Sequence, residues 1–408
     1  MTRDAREMAK RDFPTKEANT GVYRSVVPPS IPPVRSEVDL DAVVANARDV
    51  QALIGPERGV LAVLKADAYG HGLVPVAWAL QRDATVAGLV VSTVNDALAL
   101  RGHGIELPIL ALACHFGHKY GALLDARITP VLASLADLEG FSRAARRRGV
   151  QVAAQAEIDT GMSRSGLREE AVEPFLNALS QQSEISIDGL CTHLASADTQ
   201  PPTTAHRQLD TFERACARFR AAGHRLSMIH AANTAATYRL PRSHFTHVRA
   251  GIALFGGDDP SGAVTRAAMR VTTHVVQLRT VAAGESVSYG ESWTAPRASK
   301  IATLPVGYAH GYPRRLHGRG EVIVRGRRCP IVGSVCMEMM MVDVSDVDVE
   351  VNDEVVLIGS DEGEEIRLTD LARAMGGIVE EILCFIPKSA VPSYLGLDGA
   401  ASGEGPDP

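Results

Sequence analysis

The sequence has no apolar run approaching the roughly 18 residues of a membrane span. Its first residues, MTRDAREMAKRDFPTKE, carry charge without the apolar stretch of a secretory signal. Cysteines at metal or redox spacing are also missing. Cys114, Cys191, Cys216, Cys329, Cys336 and Cys384 are scattered and none forms C-x-x-C. That argues against a zinc ribbon or thioredoxin-type site and points to a reducing cytoplasm. Neither sign of charge dominates: the net charge is −6 over 408 residues. Nothing here suggests a nucleic acid or an anionic membrane as partner. Lysine is scarce, at 6 of the 42 basic residues (positions 10, 16, 65, 119, 300 and 388). A lysine inside a buried apolar run is therefore conspicuous. What remains is ordinary globular composition, 45% hydrophobic and 22% charged, at a length suggesting two or three domains.

Two rhythms divide the chain. From about Asp41, short apolar runs alternate with amphipathic stretches: GVLAVLK, VAGLVVS, LPILALA, ITPVLA, VQVAAQAEID, IDGLCTHLA, RLSMIHAA and HVRAGIALF. Such Val-, Ile-, Leu- and Ala-rich runs suit strands buried on both faces. Between them Val43, Ala47, Val50 and Ile54 share one helical face, as do Leu209, Phe212, Cys216 and Phe219. Eight strand–helix units over about 230 residues predict a (β/α)₈ TIM-type barrel, with an open doubly wound sheet as the alternative. From about Val271 the helical pattern gives way to short strands punctuated by Gly and Asp, with Arg325-Gly326 as a hairpin tip and one short helix, Leu368 to Met375. The expected organisation is an N-terminal arm or tail at 1–35, the barrel at 36–270, an all-β C-terminal domain at 271–395 and a disordered tail at 396–408.

The first run ends AVLKADAYGHG. Lys65 then stands at a strand's C-terminal end, the face on which barrel active sites are built. An ammonium partly desolvated there would lose proton affinity, and its amine could form a Schiff base. The structural alternative is a lysine snorkelling from the rim. Polar groups close later runs: Glu157, Asp159 and Arg164 in EIDTGMSRSG, His193 and Asp198 in THLASAD, Asn233 and Thr234 in HAANTAA, and Arg249 in HVRAGIALFGG. Each alone suits a structural role; together they would bring anion donors and a carboxylate-binding cation to one rim. His193, Asp198 and His230 lack metal-ligand spacing, so no metal is expected.

KADAYGHG, DTGMSR, THLASAD, HAANTAA, RAGIALFG, VSYG, GYAHGYPRR and VGSVCME occur in the order of the alanine racemases. From about Ser36 to Pro392 the chain resembles that family. The resemblance implies fold type III, pyridoxal 5′-phosphate (PLP), a small amino-acid substrate and a homodimer with shared active sites. It implies Lys65 as the Schiff-base lysine and one base, and Tyr289 as the opposing base, delivered by the partner subunit. Tyr69, Thr234, Gly251 and Ile252 would hold the phosphate, with Asn233 beside them. His193 would lie against the ring and Arg249 would face its nitrogen. Arg164 and the Met337 N–H, the latter from the partner subunit, would hold the substrate carboxylate, and Tyr308 and Asp198 would line the entry path. Two bases on opposite faces suffice to invert Cα once the cofactor has acidified its proton.

Some positions depart from the family. Glu157 stands where relatives often carry a carbamylated lysine, and is expected to supply the same negative charge and orient Arg164. His310 and Glu338 replace aspartates and are expected to alter pairing, with Arg314 as a candidate partner. Near the C-terminus, Cys384 to Pro392 is one residue longer than in relatives and lacks their arginine and tyrosine, with Lys388 in the gap. Loop drift would leave an L-/D-alanine racemase. A reshaped pocket would favour another amino acid such as serine, by racemisation or by aldol-type or transfer chemistry at Cα. A PLP carrier would not need the β domain bearing Tyr289 and Met337, and an inactive module would not need Lys65, Tyr289 and Arg249.

Overall fold

The structure is a computed structural model describing residues 32–112, 117, 119–257 and 265–396. The expected N-terminal arm, apart from its last residues, and the C-terminal tail after Gly396 lie outside the described residues, as does the Lys388 side chain.

The first strand, β1 (Arg35–Asp39), leads into the helix Leu40–Ile54. The Asp39 side chain caps that helix, accepting from the Ala42 N–H at 2.9 Å, a contact typically worth about 1 kcal/mol. Val43, Ala47, Val50 and Ile54 are all buried, as their spacing predicts. Eight parallel strands then close a barrel: β2 (Gly59–Val63), β3 (Gly88–Val91), β4 (Ile109–Ala111), β5 (Thr129–Leu132), β6 (Val152–Glu157), β7 (Ile185–Cys191), β8 (Met228–His230) and β9 (His247–Ala250). These are the eight apolar runs of the sequence, and closure decides against the open sheet. Burial on both faces follows from the architecture. Leu61, Val90, Leu110, Val131 and Cys191 pack together as an interior cluster, whereas Val60, Ala62, Leu89 and Val91 join the larger core.

From Met269 onward the chain is mostly β. Its ten-stranded sheet includes the hairpin Glu321–Val324 and Arg327–Val332. Arg325 and Gly326 form the tip with φ of 47° and 66°, the paired left-handed conformation of a tight hairpin turn. The helix Leu368–Met375 is where the sequence puts it. A second helix, Val379–Phe385, was not expected. Nor was the placement of β1, which lies on the barrel side of the expected boundary. It pairs antiparallel with Met269–His274 and parallel with Val391–Leu395 in the C-terminal sheet. Ser36 and Val38 supply its buried face, with Val34 buried just before it. The chain's two described ends therefore meet in one sheet, tying the barrel's entry to its neighbour.

Candidate active site

Lys65 follows the end of β2. Beyond it Ala66, Asp67, Ala68 and Tyr69 adopt φ of 52°, 57°, 52° and 54°, a turn of left-handed helix made of residues with side chains. At 1–2 kcal/mol each, this costs roughly 4–8 kcal/mol. Surrounding contacts hold it. The Ala68 N–H donates to the Leu64 carbonyl at 3.1 Å and the Gly70 N–H to that of Ala66 at 3.0 Å. The Asp67 carboxylate accepts from the Leu73 N–H at 2.7 Å, anchoring the next helix. Gly72 must be glycine: its φ is +89° and a Cβ would sit 2.1 Å from the Tyr394 hydroxyl.

Lys65 is exposed in the protomer, which corrects the expectation of a desolvated ammonium. The apolar strand ends at Val63, two residues earlier, and the turn carries Lys65 out onto the rim. Its amine lies 5.4 Å from the Tyr69 ring centroid. Tyr69 is buried against Phe255, centroids 5.2 Å apart. Burial, with Glu380 and Cys384 adding, pushes its phenol far above the ordinary value. Tyr69 therefore keeps its proton and can donate. Its hydroxyl closes on the Gly251 backbone, where a Cβ would come within 2.5 Å. Thr234 Oγ1 accepts from the Gly251 N–H at 3.2 Å and lies 3.5 Å from the Ala253 N–H. Gly251 precedes the turn Ile252–Leu254. The Tyr69 hydroxyl, the Thr234 hydroxyl and the Gly251 backbone thus meet in one cradle at the start of the Ile252–Leu254 turn. Asn233 serves it indirectly: its side chain accepts from the Ala236 N–H at 3.0 Å and caps the helix Thr234–Arg239.

Arg249, on β9, is buried and the donors of its two terminal nitrogens are engaged. Nη1 donates to His230 Nδ1 at 2.8 Å and to the His230 carbonyl at 2.9 Å. Nη2 donates to the Thr192 carbonyl at 2.8 Å. Nε has no acceptor among the described residues. Because a guanidinium only donates, His230 Nδ1 must accept and the ring's proton sits on Nε2. That N–H donates to Gln155 Oε1 at 2.7 Å. Burial holds His230 well below its ordinary value, so it is neutral. The chain Arg249–His230–Gln155 fixes the guanidinium plane; no motif singles out Gln155.

His193 Nδ1 lies 3.3 Å from Arg249 Nη2. Burial first, then Arg249, Arg164 and Lys65, push its imidazole down to about 3. All three cations thus act on His193 through space. Glu157 is buried at the end of β6. Burial raises its carboxyl, opposed by a hydrogen bond from Ser165 and by the charges of Arg249 and Arg164. Its hydrogen bond thus comes from Ser165, and no ion pair joins it to Arg164 among the described residues. The expectation that Glu157 orients Arg164 is corrected to a field acting through space. Arg164 is exposed and has no ion-pair partner among the described residues, so its guanidinium is available to an anion. Asp159 shapes its loop, accepting from the N–H groups of Gly161 at 3.0 Å and Ser163 at 2.9 Å.

Tyr289 and Met337 lie on adjoining loops of the C-terminal half. The Ser334 hydroxyl donates to the Tyr289 carbonyl at 3.2 Å, and the Ser288 hydroxyl to the Ser334 carbonyl at 3.1 Å. Both side chains face outward, 77% and 58% exposed, with Tyr308 alongside at 44%. The Tyr308 N–H donates to the Cys336 carbonyl at 3.0 Å and the Ala309 N–H to that of Met337 at 2.8 Å. Neither Tyr289 nor Met337 bonds to the Lys65 rim of its own chain. His310 Nδ1 accepts from the Gly307 N–H at 3.2 Å, and Glu338 is exposed. Neither pairs with Arg314, which corrects that expectation. Asp198 contributes its carbonyl, accepting from Arg239 at 2.7 Å. No cluster of His, Cys, Asp or Glu suited to a metal occurs among the described residues.

Comparison with known proteins bears on the whole folded chain. The family model "Alanine racemase, N-terminal domain" matches residues 38–259, and "Alanine racemase, C-terminal domain" matches 268–394. The chain is 41% identical over 373 residues to an alanine racemase of Symbiobacterium thermophilum, covering 90% of this chain and 98% of that one. It is 39% identical over 369 residues to one of Desulfosudis oleivorans, covering 86% and 94%. Among solved structures, alanine racemase from Streptomyces lavendulae superimposes with a TM-score of 0.86 at 32% identity, covering 90% of this chain and 98% of the other. That from Bartonella henselae, described with covalently bound pyridoxal phosphate, gives 0.79 at 29% identity, covering 90% and 100%. With both domain models matched in order and 41% identity over 90% of its length, the chain belongs to the alanine racemase family.

Proposed function

We propose that this racemase interconverts L- and D-alanine with PLP, using Lys65 and Tyr289 as bases on opposite faces of Cα. The observation that carries the reading is the convergence at the barrel rim of a free lysine amine, a hydroxyl-and-backbone cradle and a buried arginine with one open N–H. These fit the cofactor: the cradle suits its phosphate, Lys65 its aldehyde carbon, and Arg249 Nε its ring nitrogen. PLP, when bound, supplies the electron sink that acidifies the substrate Cα–H. The rest is done by the chain. Arg164 holds the substrate carboxylate, and the buried Glu157 charge tempers the cations around it. Arg249 donates but does not readily release a proton, so the atom it faces stays unprotonated. Lys65 takes or returns a proton on one face. Tyr289 does so on the other, from the partner subunit of a homodimer, with the Met337 N–H as a second carboxylate donor. Outward-facing Tyr289 and Met337 support that trans arrangement. A cytoplasmic location belongs to the same reading.

Alanine is favoured over the serine alternative, because the curated relatives are alanine racemases across nearly the full chain. The lengthened Cys384–Pro392 segment is tied down locally, the Ser389 hydroxyl donating to the His310 carbonyl at 2.7 Å. The direct test is conversion of each alanine enantiomer by purified protein, with serine as competitor. Alanine converted at least about tenfold more efficiently is expected; a preference for serine would overturn the substrate assignment.

Two substitutions probe the cradle and the buried anion. Gly251→Ala puts a methyl against the buried Tyr69 hydroxyl, and PLP affinity should fall at least about tenfold, roughly 1.4 kcal/mol. Spectral titration with PLP measures this. Glu157→Gln removes a charge that acts without a direct ion pair. Its effect should stay below the roughly 3–5 kcal/mol of a broken buried pair, near tenfold in kcat/KM. Burial raises the Glu157 carboxyl, so the anion is lost as pH falls through a value above its ordinary one. A kcat/KM profile should therefore show an acid limb that the Gln variant flattens; an unchanged limb would assign it to another group.

A further inference from the structure

His71 is the member of the glycine-rich turn that the mechanism leaves unused. It is fully buried. Its Nδ1 lies 3.2 Å from the Ala68 carbonyl oxygen and 3.0 Å from that of Tyr69. Carbonyl oxygens only accept, so Nδ1 carries the proton and donates to both. Nε2 is then a bare acceptor, and it is buried without a hydrogen-bond partner. The imidazole packs on Phe255, centroids 4.5 Å apart, and Tyr69 packs on the same phenyl ring. Burial pushes the imidazole down to about 4, so it is neutral.

A buried acceptor with no donor is unfavourable. So is a left-handed turn of residues that bear side chains. Here the two occur together, and each accounts for the other. The turn needs an N–H that reaches two of its carbonyls, and a flat face that shares Phe255 with Tyr69. An imidazole meets both needs, and its second nitrogen is left over. We infer that His71 is a positioning residue that donates from Nδ1 to the Ala68 and Tyr69 carbonyls and holds the left-handed turn, setting Lys65 and the Tyr69 hydroxyl for the cofactor before it binds. It acts only through the turn. The inference rests on the reading that Lys65 and Tyr69 hold PLP.

Without that donor the turn relaxes toward ordinary backbone, and cofactor binding must rebuild it. The loss should therefore fall on cofactor retention, with little effect on the stability of the cofactor-free chain. Holoenzymes of the unmodified protein, His71→Asn and His71→Leu are compared for the rate of PLP release into an excess of a second PLP-binding protein. Thermal midpoints are read with and without cofactor. Asn keeps a donor near the Nδ1 position; Leu fills the volume without one. The Leu variant should release PLP roughly ten- to a hundredfold faster, while Asn stays within about threefold. Cofactor-free midpoints should agree within about 3 °C. If the Leu variant does not accumulate, His71→Gln, whose amide reaches the Nε2 position instead, should show the same fast release. Equal release from all variants, or Asn releasing as fast as Leu, would overturn the inference. So would a parallel fall in the cofactor-free midpoint, which marks a general packing role. Unmodified enzyme whose PLP is not attached to Lys65 would overturn the underlying reading, a separate result.

Discussion

Borohydride reduction of the purified yellow holoenzyme will fix its cofactor on Lys65 and on no other lysine, and Lys65→Ala will lower racemisation by at least about 10⁴-fold. The expectation comes from what the lysine amines do. Lys119 Nζ donates to Asn95 Oδ1 at 2.8 Å and Lys300 Nζ to the Val349 carbonyl at 2.7 Å. Both amines are thus already engaged within the fold. Among the described residues Lys65 Nζ has the face of Tyr69 beneath it, 5.4 Å from the centroid, and Tyr69 carries the hydroxyl that closes on Gly251. Peptide mapping after reduction reads the result. A label on Lys119 or Lys300 would sink the assignment.

Mixing two inactive chains will restore activity. A Lys65→Ala chain and a Tyr289→Phe chain, allowed to exchange subunits at equal amounts, should form hybrids in about half of all dimers. Each hybrid has one site with both bases intact, so recovery should approach roughly a quarter of the unmodified activity. The structural basis is the exposure of Tyr289 and Met337, at 77% and 58%. A tyrosine and a methionine held outward on loops joined by Ser288 and Ser334 are suited to enter a neighbour's site. No recovery when exchange is demonstrated by mass would place the second base within one chain.

The barrel was legible because strands buried on both faces read as apolar runs, and all eight runs are strands. The hairpin tip was legible because Arg-Gly sits between two apolar runs. The C-terminal helix Val379–Phe385 was not, since seven residues give barely two turns of pattern. The sheet that β1 joins is not legible either, because a five-residue strand does not declare its partner: Val38 and the preceding Val34 require burial but do not say in which sheet. At the site, Lys65, Arg249 and Thr234 stand out by motif, and their positions follow from strand ends. The left-handed turn left no local trace. Ala66 to Tyr69 hold no glycine, and tertiary contacts impose a conformation that their own preferences oppose. Gln155 was invisible for a related reason: its role depends on the His230 tautomer, which only the Arg249 contact fixes. The Glu157–Arg164 pair failed because two residues near in sequence need not meet; Ser165 bonds to the carboxylate instead.

One enzyme is expected to invert alanine with two bases on opposite faces, Lys65 and Tyr289. Cα-proton exchange in deuterated water tests it most directly, with each alanine enantiomer given separately to unmodified enzyme and to Tyr289→Phe. The unmodified enzyme should racemise both and place solvent deuterium at Cα. The Tyr289→Phe enzyme should exchange the proton of only one enantiomer, the one facing Lys65, with retention of configuration and almost no inversion. Exchange and inversion of both enantiomers by Tyr289→Phe at the unmodified rate would contradict the account.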